Sequence, residues 1–173
     1  MLRKRKGQVW IETVTYTLIT FVLIGLILGF AKPKIEEIQD QAIIEQTIQV
    51  LKELDYTIND ISEKGAGNKR KVELSIKKGE FHILSENNTL KFFLEGNYMY
   101  SQPGQEYEES GILILTEEVG KEYHVTLQKK YKDINLTYNG EEENKKLLKG
   151  STPYNVYITN KGGVNQTIDF QVD

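Results

Sequence analysis

The sequence predicts an α+β fold, with one long N-terminal α-helix followed by an antiparallel β-sandwich head. Two observations predict it. Apolar residues continue at helical spacing to about residue 63. After Gly65 and Gly67, apolar and polar residues alternate along short segments that are separated by turn residues. We therefore expect the helix over residues 8–63 and the head over residues 65–173.

Composition limits the kinds of site that the chain can build. It has 173 residues, enough for one domain with a core and one additional element. The absence of cysteine excludes disulfides, thiolate metal sites and cysteine nucleophiles. The formal net charge is −3, although residues 3–6 are all basic. Because the rest of the chain is acidic, we interpret this basic end as a targeting signal and expect no nucleic-acid partner.

The segment 13–31 predicts a transmembrane helix. Its 19 residues are all uncharged, and as a helix they span about 28 Å, close to the hydrocarbon thickness of a bilayer. The basic N-terminal flank predicts that this end stays in the cytoplasm and that the head lies outside the cell. The alternative is a buried core helix, but the charged residues at both ends of the segment argue against it.

Within this segment, Gly25 and Gly29 have the spacing that lets two helix backbones approach closely. Pro33 follows and is expected to bend the helix or open it locally, because proline removes a backbone donor and crowds the preceding turn.

The second half of the helix carries two apolar stripes separated by a change of phase. We expect the later stripe, at residues 51–61, to pack on the head. Ile35 and Ile38, in the earlier stripe with Ala42, have less of their own chain to cover them and are expected to meet neighbouring helices. The other face is charged or amide-bearing and includes Asp40.

The head pattern predicts about eight short strands. Residues 111–118 are expected to be a strand buried on both sides. In the next strand we expect Val125 and Leu127 to face inward and Thr126 outward, and Asn135 and Thr137 to share an outward face. The segments SQPGQEYEESG and NGEEENKKLLKG are expected to be loops.

The stretch RKRKGQVWIE, followed by an uninterrupted apolar helix, resembles the class III signal peptide of type IV pilin-like proteins, most closely archaeal pilins and archaellins. The resemblance implies that a prepilin peptidase cuts between Gly7 and Gln8. Residues 1–7 would be removed and the apolar segment retained. The alternative is an uncleaved signal anchor. The predicted strands also resemble the heads of this family, but only in architecture.

The resemblance also implies a role for Glu12, which lies in the first turns of the mature helix. A carboxylate within an apolar helix bundle is costly unless it is paired. The family implies that its partner is the N-terminal amine of a neighbouring subunit, so that the pair sets the assembly register. The alternative is a glutamate that reaches water among the lipid headgroups.

The resemblance therefore implies a structural subunit of an extracellular archaeal filament. Its expected partners are copies of itself, the prepilin peptidase, the assembly platform with its ATPase, and the membrane before assembly. The alternative is an unpolymerised, single-pass, membrane-anchored binding module outside the cell. An enzymatic ectodomain is a more distant alternative.

Few other motifs carry chemistry. Sequons predict N-glycosylation at Asn87, Asn135 and Asn165, and the family is often glycosylated. The acidic clusters at 106–109, 117–118 and 141–143 lack the spacing of a calcium loop, so we interpret them as solvated charge. The two histidines, at 82 and 124, have no ligand-spaced partner. We find no nucleophile elbow, phosphate-binding loop or triad, and expect no catalytic residue, metal or cofactor.

Overall fold

The computed structural model describes residues 4–173, with residues 4–8 described by their backbone alone. Helix α1 (Lys4–Glu63) is 60 residues long and is followed by strands alone, apart from one 3-10 turn at Ser85–Asn87. The predicted α+β fold is therefore confirmed. The helix continues through Pro33 without a break, so the local opening expected there is not observed, and the bend stays a prediction.

The helix ends where the glycines predict it to end. Gly65 and Gly67 have φ of +85° and +88°, left-handed values that suit glycine. The Asn68 side-chain amide donates to the carbonyl oxygens of Lys64 and Gly65, at 2.9 and 3.0 Å. These bonds satisfy carbonyls that the terminated helix leaves without partners.

Within the described residues, ten strands form two sheets. The strands are β1 (Lys69–Leu74), β2 (Glu80–Leu84), β3 (Thr89–Gly96), β4 (Glu106–Glu109), β5 (Ile112–Val119), β6 (Glu122–Lys130), β7 (Ile134–Tyr138), β8 (Lys145–Leu148), β9 (Tyr154–Gly162) and β10 (Gln166–Val172). The four-stranded sheet has the order β1-β9-β10-β7, and the six-stranded sheet has the order β4-β5-β6-β3-β2-β8. Pairing is antiparallel except between β7 and β10, which run parallel, so the antiparallel prediction fails for that pair alone.

Both sheets pack against the second half of α1. The helix side chains in this core are each at most 2% exposed, and burying one such side chain stabilises the fold by about 1.5–3 kcal/mol. The predicted packing of the 51–61 stripe on the head is therefore confirmed, and the burial extends two turns earlier. These side chains are Ile44, Ile48, Leu51, Leu54, Ile58 and Ile61.

Asp40 contradicts its predicted place on the polar face. Its side chain is 2% exposed and lies against the end of β3. Its carboxylate accepts the backbone N–H of Asn97 at 2.8 Å and pairs with the Lys78 ammonium. A side chain at Gly96 would collide with this carboxylate. Asp40 lies four residues before Ile44 on the same side of the helix, and among the described residues it is the first buried residue of α1.

Replacing Asp40 by alanine is expected to lower the free energy of unfolding by about 1–3 kcal/mol, because it removes a buried carboxylate that accepts the Asn97 N–H and pairs with Lys78. Urea unfolding of the full chain in detergent measures this. Gln39→Ala, at the exposed neighbouring position, is the control and is expected to change stability by less than about 0.5 kcal/mol. Equal effects of the two substitutions would contradict the assignment.

Two strands occur where loops were expected. β4 lies within SQPGQEYEESG and β8 within NGEEENKKLLKG. Each has four residues and lies at an edge of the six-stranded sheet. Short, charged strands are common at sheet edges, where one side of the backbone stays open. Such strands lack the apolar alternation on which the strand predictions depend.

Three predictions about the exposure of strand residues are wrong. β5 is buried on one side only: Ile112 and Ile114 are buried, while Leu113 is half-buried. Thr126 is buried between Val125 and Leu127, whose predicted inward orientation is confirmed. Thr137 is also buried, because its hydroxyl donates to the buried Asp169 carboxylate at 2.9 Å. A threonine with such a partner does not need to face solvent.

Candidate functional site

The candidate site is the surface of α1 that the head does not cover. Every residue from 9 to 30 is exposed. The most apolar 18-residue window of the helix has a mean hydropathy of 2.2 and is 0% buried. A helix that is apolar on all sides is stable only in lipid or among other helices. Its length and composition suit membrane anchoring or a signal sequence.

Threonine hydroxyls within this segment are satisfied by the helix itself. Each donates to the carbonyl oxygen four residues earlier, at 2.8–2.9 Å. Such bonds let threonine enter apolar surroundings without an unsatisfied donor. The first half of the segment is therefore less polar than its composition indicates. The threonines are Thr13, Thr15, Thr17 and Thr20.

Gly25 and Gly29 form an open notch on the helix surface. No atom lies within 4 Å of the place where a Cβ would stand at either glycine. Glu12 is also exposed. At about 100° per residue, it lies roughly 120° around the helix from the notch. Contacts at Glu12 and at the notch would therefore involve different neighbours.

The predicted cleavage site lies outside the residues whose side chains the structure describes. Gly7 and Gln8 are placed by backbone alone. Cleavage between them stays a prediction, as do the roles of Glu12 and of the glycine pair in assembly.

A second exposed surface, which we call the outer stripe, consists of Ile35, Ile38 and Ala42. Ile35 and Ile38 are 52% and 58% exposed, and Ala42 is exposed as well. The stripe lies on the side of the helix opposite Asp40 and Ile44, which face the head. The expected lack of cover from its own chain is confirmed. Its apolar surface is open to another molecule.

Charged side chains separate the outer stripe from the apolar segment. Lys34 pairs with Glu37 at 2.7 Å, and Lys32 lies 3.9 Å from Glu36. Both pairs are solvent-exposed and contribute little to stability. These charged residues mark the end of the apolar surface that continues around the helix up to residue 31.

The predicted glycosylation sites differ in exposure. Asn87 and Asn165 are exposed in turns, whereas Asn135 is half-buried on β7. Thr167 of the Asn165 sequon is half-buried, whereas Thr89 of the Asn87 sequon is 5% exposed and donates its hydroxyl to the Asn87 carbonyl oxygen at 2.9 Å. The structure therefore favours Asn165 as an attachment point, and glycosylation at all three stays a prediction.

Within residues 9–173, no group of three or more acidic or histidine side chains is arranged to hold a metal ion.

The two histidines contact other residues of the head. His82 lies 3.1 Å from Glu80, and the rings of His124 and Phe93 pack edge to face with their centroids 5.3 Å apart. Burial is the main cause that raises the pKa of Tyr100 and of Tyr131. All four of these side chains belong to the head.

Glu80 ties β8 to β2 through Lys146, at 2.6 Å. The hydrogen bond from Lys146 lowers the pKa of Glu80, so its contribution to stability is present above the unfolded-state pKa of about 4.3 and is lost as pH falls through the folded value. Glu80→Gln is expected to reduce the loss of melting temperature between pH 7 and pH 3. Glu118→Gln, at an exposed position on β5, is the control. An unchanged pH profile for Glu80→Gln would contradict this assignment.

Comparison with protein-family models, curated proteins and solved structures finds no match to this chain. A long N-terminal apolar helix followed by β-sheets is consistent with type IV pilin-like architecture and suggests a pilin-like surface protein.

Proposed function

We propose that the chain is the structural prepilin of an extracellular archaeal type IV pilus-like filament, assembled through α1. One observation supports this most strongly. Residues 13–31 are long enough to fill the hydrocarbon layer, at about 28 Å. The outer stripe continues to Ala42, roughly 16 Å further along the helix. A bilayer leaves that stripe in water, whereas neighbouring helices in a bundle cover both surfaces.

The proposed cycle begins with the precursor in the membrane, its N-terminus in the cytoplasm and its head outside the cell. Prepilin peptidase removes residues 1–7 and leaves the helix on the head. The assembly platform and its ATPase then move the helix from lipid into the filament. Apolar surface stays out of water throughout, so the transfer needs no exposure of the segment.

Glu12 provides the register in this proposal. After cleavage, Gln8 carries a new α-ammonium, and Glu12 lies four residues further along the helix. The N-terminal end of a helix favours a carboxylate. Pairing Glu12 with the ammonium of a neighbouring copy neutralises both charges within the bundle. A neighbour docked out of register would leave both charges desolvated and unneutralised.

The test compares full-length chains expressed with and without a prepilin peptidase in a host that has the assembly machinery. Sheared surface material is examined by negative-stain electron microscopy. We expect filaments containing this chain only when the peptidase is present. A chain that stays in the membrane fraction as a monomer in both strains would favour the anchored binding module instead.

A further inference from the structure

The six-stranded sheet ends in two open edges of opposite charge. At one edge, β4 carries Glu106, Glu108 and Glu109. At the other edge, β8 carries Lys145 and Lys146, and Lys149 follows it directly. Five strand spacings of about 4.8 Å separate the edges, so they lie roughly 24 Å apart on opposite sides of the head.

Glu109 projects to the core side of the sheet, where it pairs with Lys52 of α1 at 3.2 Å, and Lys145 does so opposite the buried Ile83. The other charged side chains of β4 and β8 share the outer face. Residues directly opposite each other on neighbouring strands project to the same side of a sheet. Tyr107 is opposite the buried Ile114, and Leu147 is opposite the buried Phe81, so these side chains face the core. The alternate positions therefore project to the outer face. They are Glu106 and Glu108 on β4, and Lys146 and Leu148 on β8.

Much of this surface remains available to another molecule. Glu106 and Glu108 are exposed. Lys146 pairs with Glu80, yet its side chain is still 49% exposed, and Leu148 is 50% exposed. The acidic residues 141–143 precede the ladder between β8 and β2, where the chain bridges back to Tyr138. They lie outside this ladder and immediately before Asn144 and Lys145 in the chain.

Charge on an edge strand normally prevents edges from pairing with one another. In this head, the charge determines which edges of two copies can pair with each other. Two β4 edges would oppose glutamates, and two β8 edges would oppose lysines, both of which are unfavourable. A β4 edge against a β8 edge places opposite charges together and completes backbone hydrogen bonding on both strands. The charges therefore disfavour two-fold dimers.

The four-stranded sheet lacks this complementarity. Its β1 edge is basic, with Lys69, Arg70 and Lys71. Its β7 edge, INLTY, carries no charge. Within residues 9–173, only the six-stranded sheet has strand edges of opposite sign.

We propose that the β4 edge of one copy binds the β8 edge of a neighbouring copy, so that adjacent heads join head to tail. This inference rests on the proposed filament. Contacts between two different surfaces of the same chain generate open assemblies unless the rotation closes a ring. The heads would thus contribute their own directional contact in addition to the helix bundle.

The absence of native cysteine makes a crosslinking test direct. Full-length Glu108→Cys/Leu148→Cys is assembled into filaments and treated with a short bis-maleimide, which tolerates a small shift in strand register. We expect a ladder of covalent multimers on denaturing gels. Each single variant is expected to give monomer, because like edges do not meet. The control pair, Lys71→Cys/Lys132→Cys, places exposed cysteines on β1 and just before β7 and is expected to give no ladder.

Filaments without a ladder from the β4–β8 pair would overturn this inference and leave the proposed function standing. Dimers from Glu108→Cys alone would also overturn it. Absence of filaments from the cysteine-free parent would overturn the proposed function, and this inference with it. If the first pair prevents assembly, Glu106→Cys/Lys149→Cys tests the same edges with the same criteria.

Discussion

Glu12→Ala is expected to abolish filament assembly while leaving a folded, membrane-inserted subunit. In the assembled bundle, the substitution leaves the N-terminal ammonium of a neighbour buried without its counter-charge. Removing one partner of a buried ion pair costs about 3–5 kcal/mol. At about 1.4 kcal/mol per factor of ten, each contact weakens by at least roughly 100-fold. Because a filament repeats this contact at every subunit, the loss should appear as an absence of filaments.

Electron microscopy of sheared surface material measures filament assembly. Immunoblots of the membrane fraction measure whether the subunit is still inserted. Glu53→Ala is the matched control, because Glu53 is an exposed glutamate on the same helix beside the head. It should assemble normally. Abundant filaments from Glu12→Ala, with unchanged length and yield, would show that this carboxylate does not set the register.

Ile58→Ala is expected to lower the free energy of unfolding of the head by about 2–5 kcal/mol. Ile58 is 0% exposed between the helix and the sheets, so truncation leaves a cavity in the only cluster that holds the described head together. The chain has no disulfide to compensate. A loss of this size is a large fraction of the stability of an ordinary domain.

Ile38→Ala is the matched control, since it makes the same change on the same helix at a position that is 58% exposed. It should alter the unfolding free energy by less than about 0.5 kcal/mol. In the proposed filament, the same substitution removes a contact between neighbours and should reduce filament yield. Urea unfolding and filament counts separate the two effects. Equal destabilisation of the head by both variants would contradict the assignment of the two stripes.

The helix and its two surfaces could be predicted because periodicity reports them directly. Ile58 and its companions recur on one side of the helix, and Ile35 and Ile38 lie on the other. Once the head covers the first side, the second must stay open or meet another molecule. This reasoning needs only the spacing of apolar residues.

Asp40 shows where that reasoning failed. Its chemical type predicts a place on the polar face, although its helical position puts it on the same side as Ile44. A carboxylate on the apolar side is buried only if the tertiary fold provides donors. Here the donors are the Asn97 N–H and Lys78, both far away in the sequence. Sequence position alone could have marked Asp40 as facing the head, but it could not have supplied those partners.

The edge strands β4 and β8 could not be predicted for a related reason. Their charged residues give no alternating apolar signal, and their strand structure depends on the ladders that β5 and β2 offer them. The same charges distinguish the two edges of the sheet. The charged residues that made β4 and β8 hard to predict from the sequence are therefore the same residues that predict how neighbouring heads would meet.

The mature N-terminus tests the central proposal most directly. Intact-mass analysis of the chain recovered from sheared surface material reports it in one measurement. The pilin-type assembly proposed here predicts loss of Met1 to Gly7 and a chain that begins at Gln8 with the whole apolar helix retained. A chain that keeps its basic N-terminal residues, or one cut after the apolar segment, would contradict it.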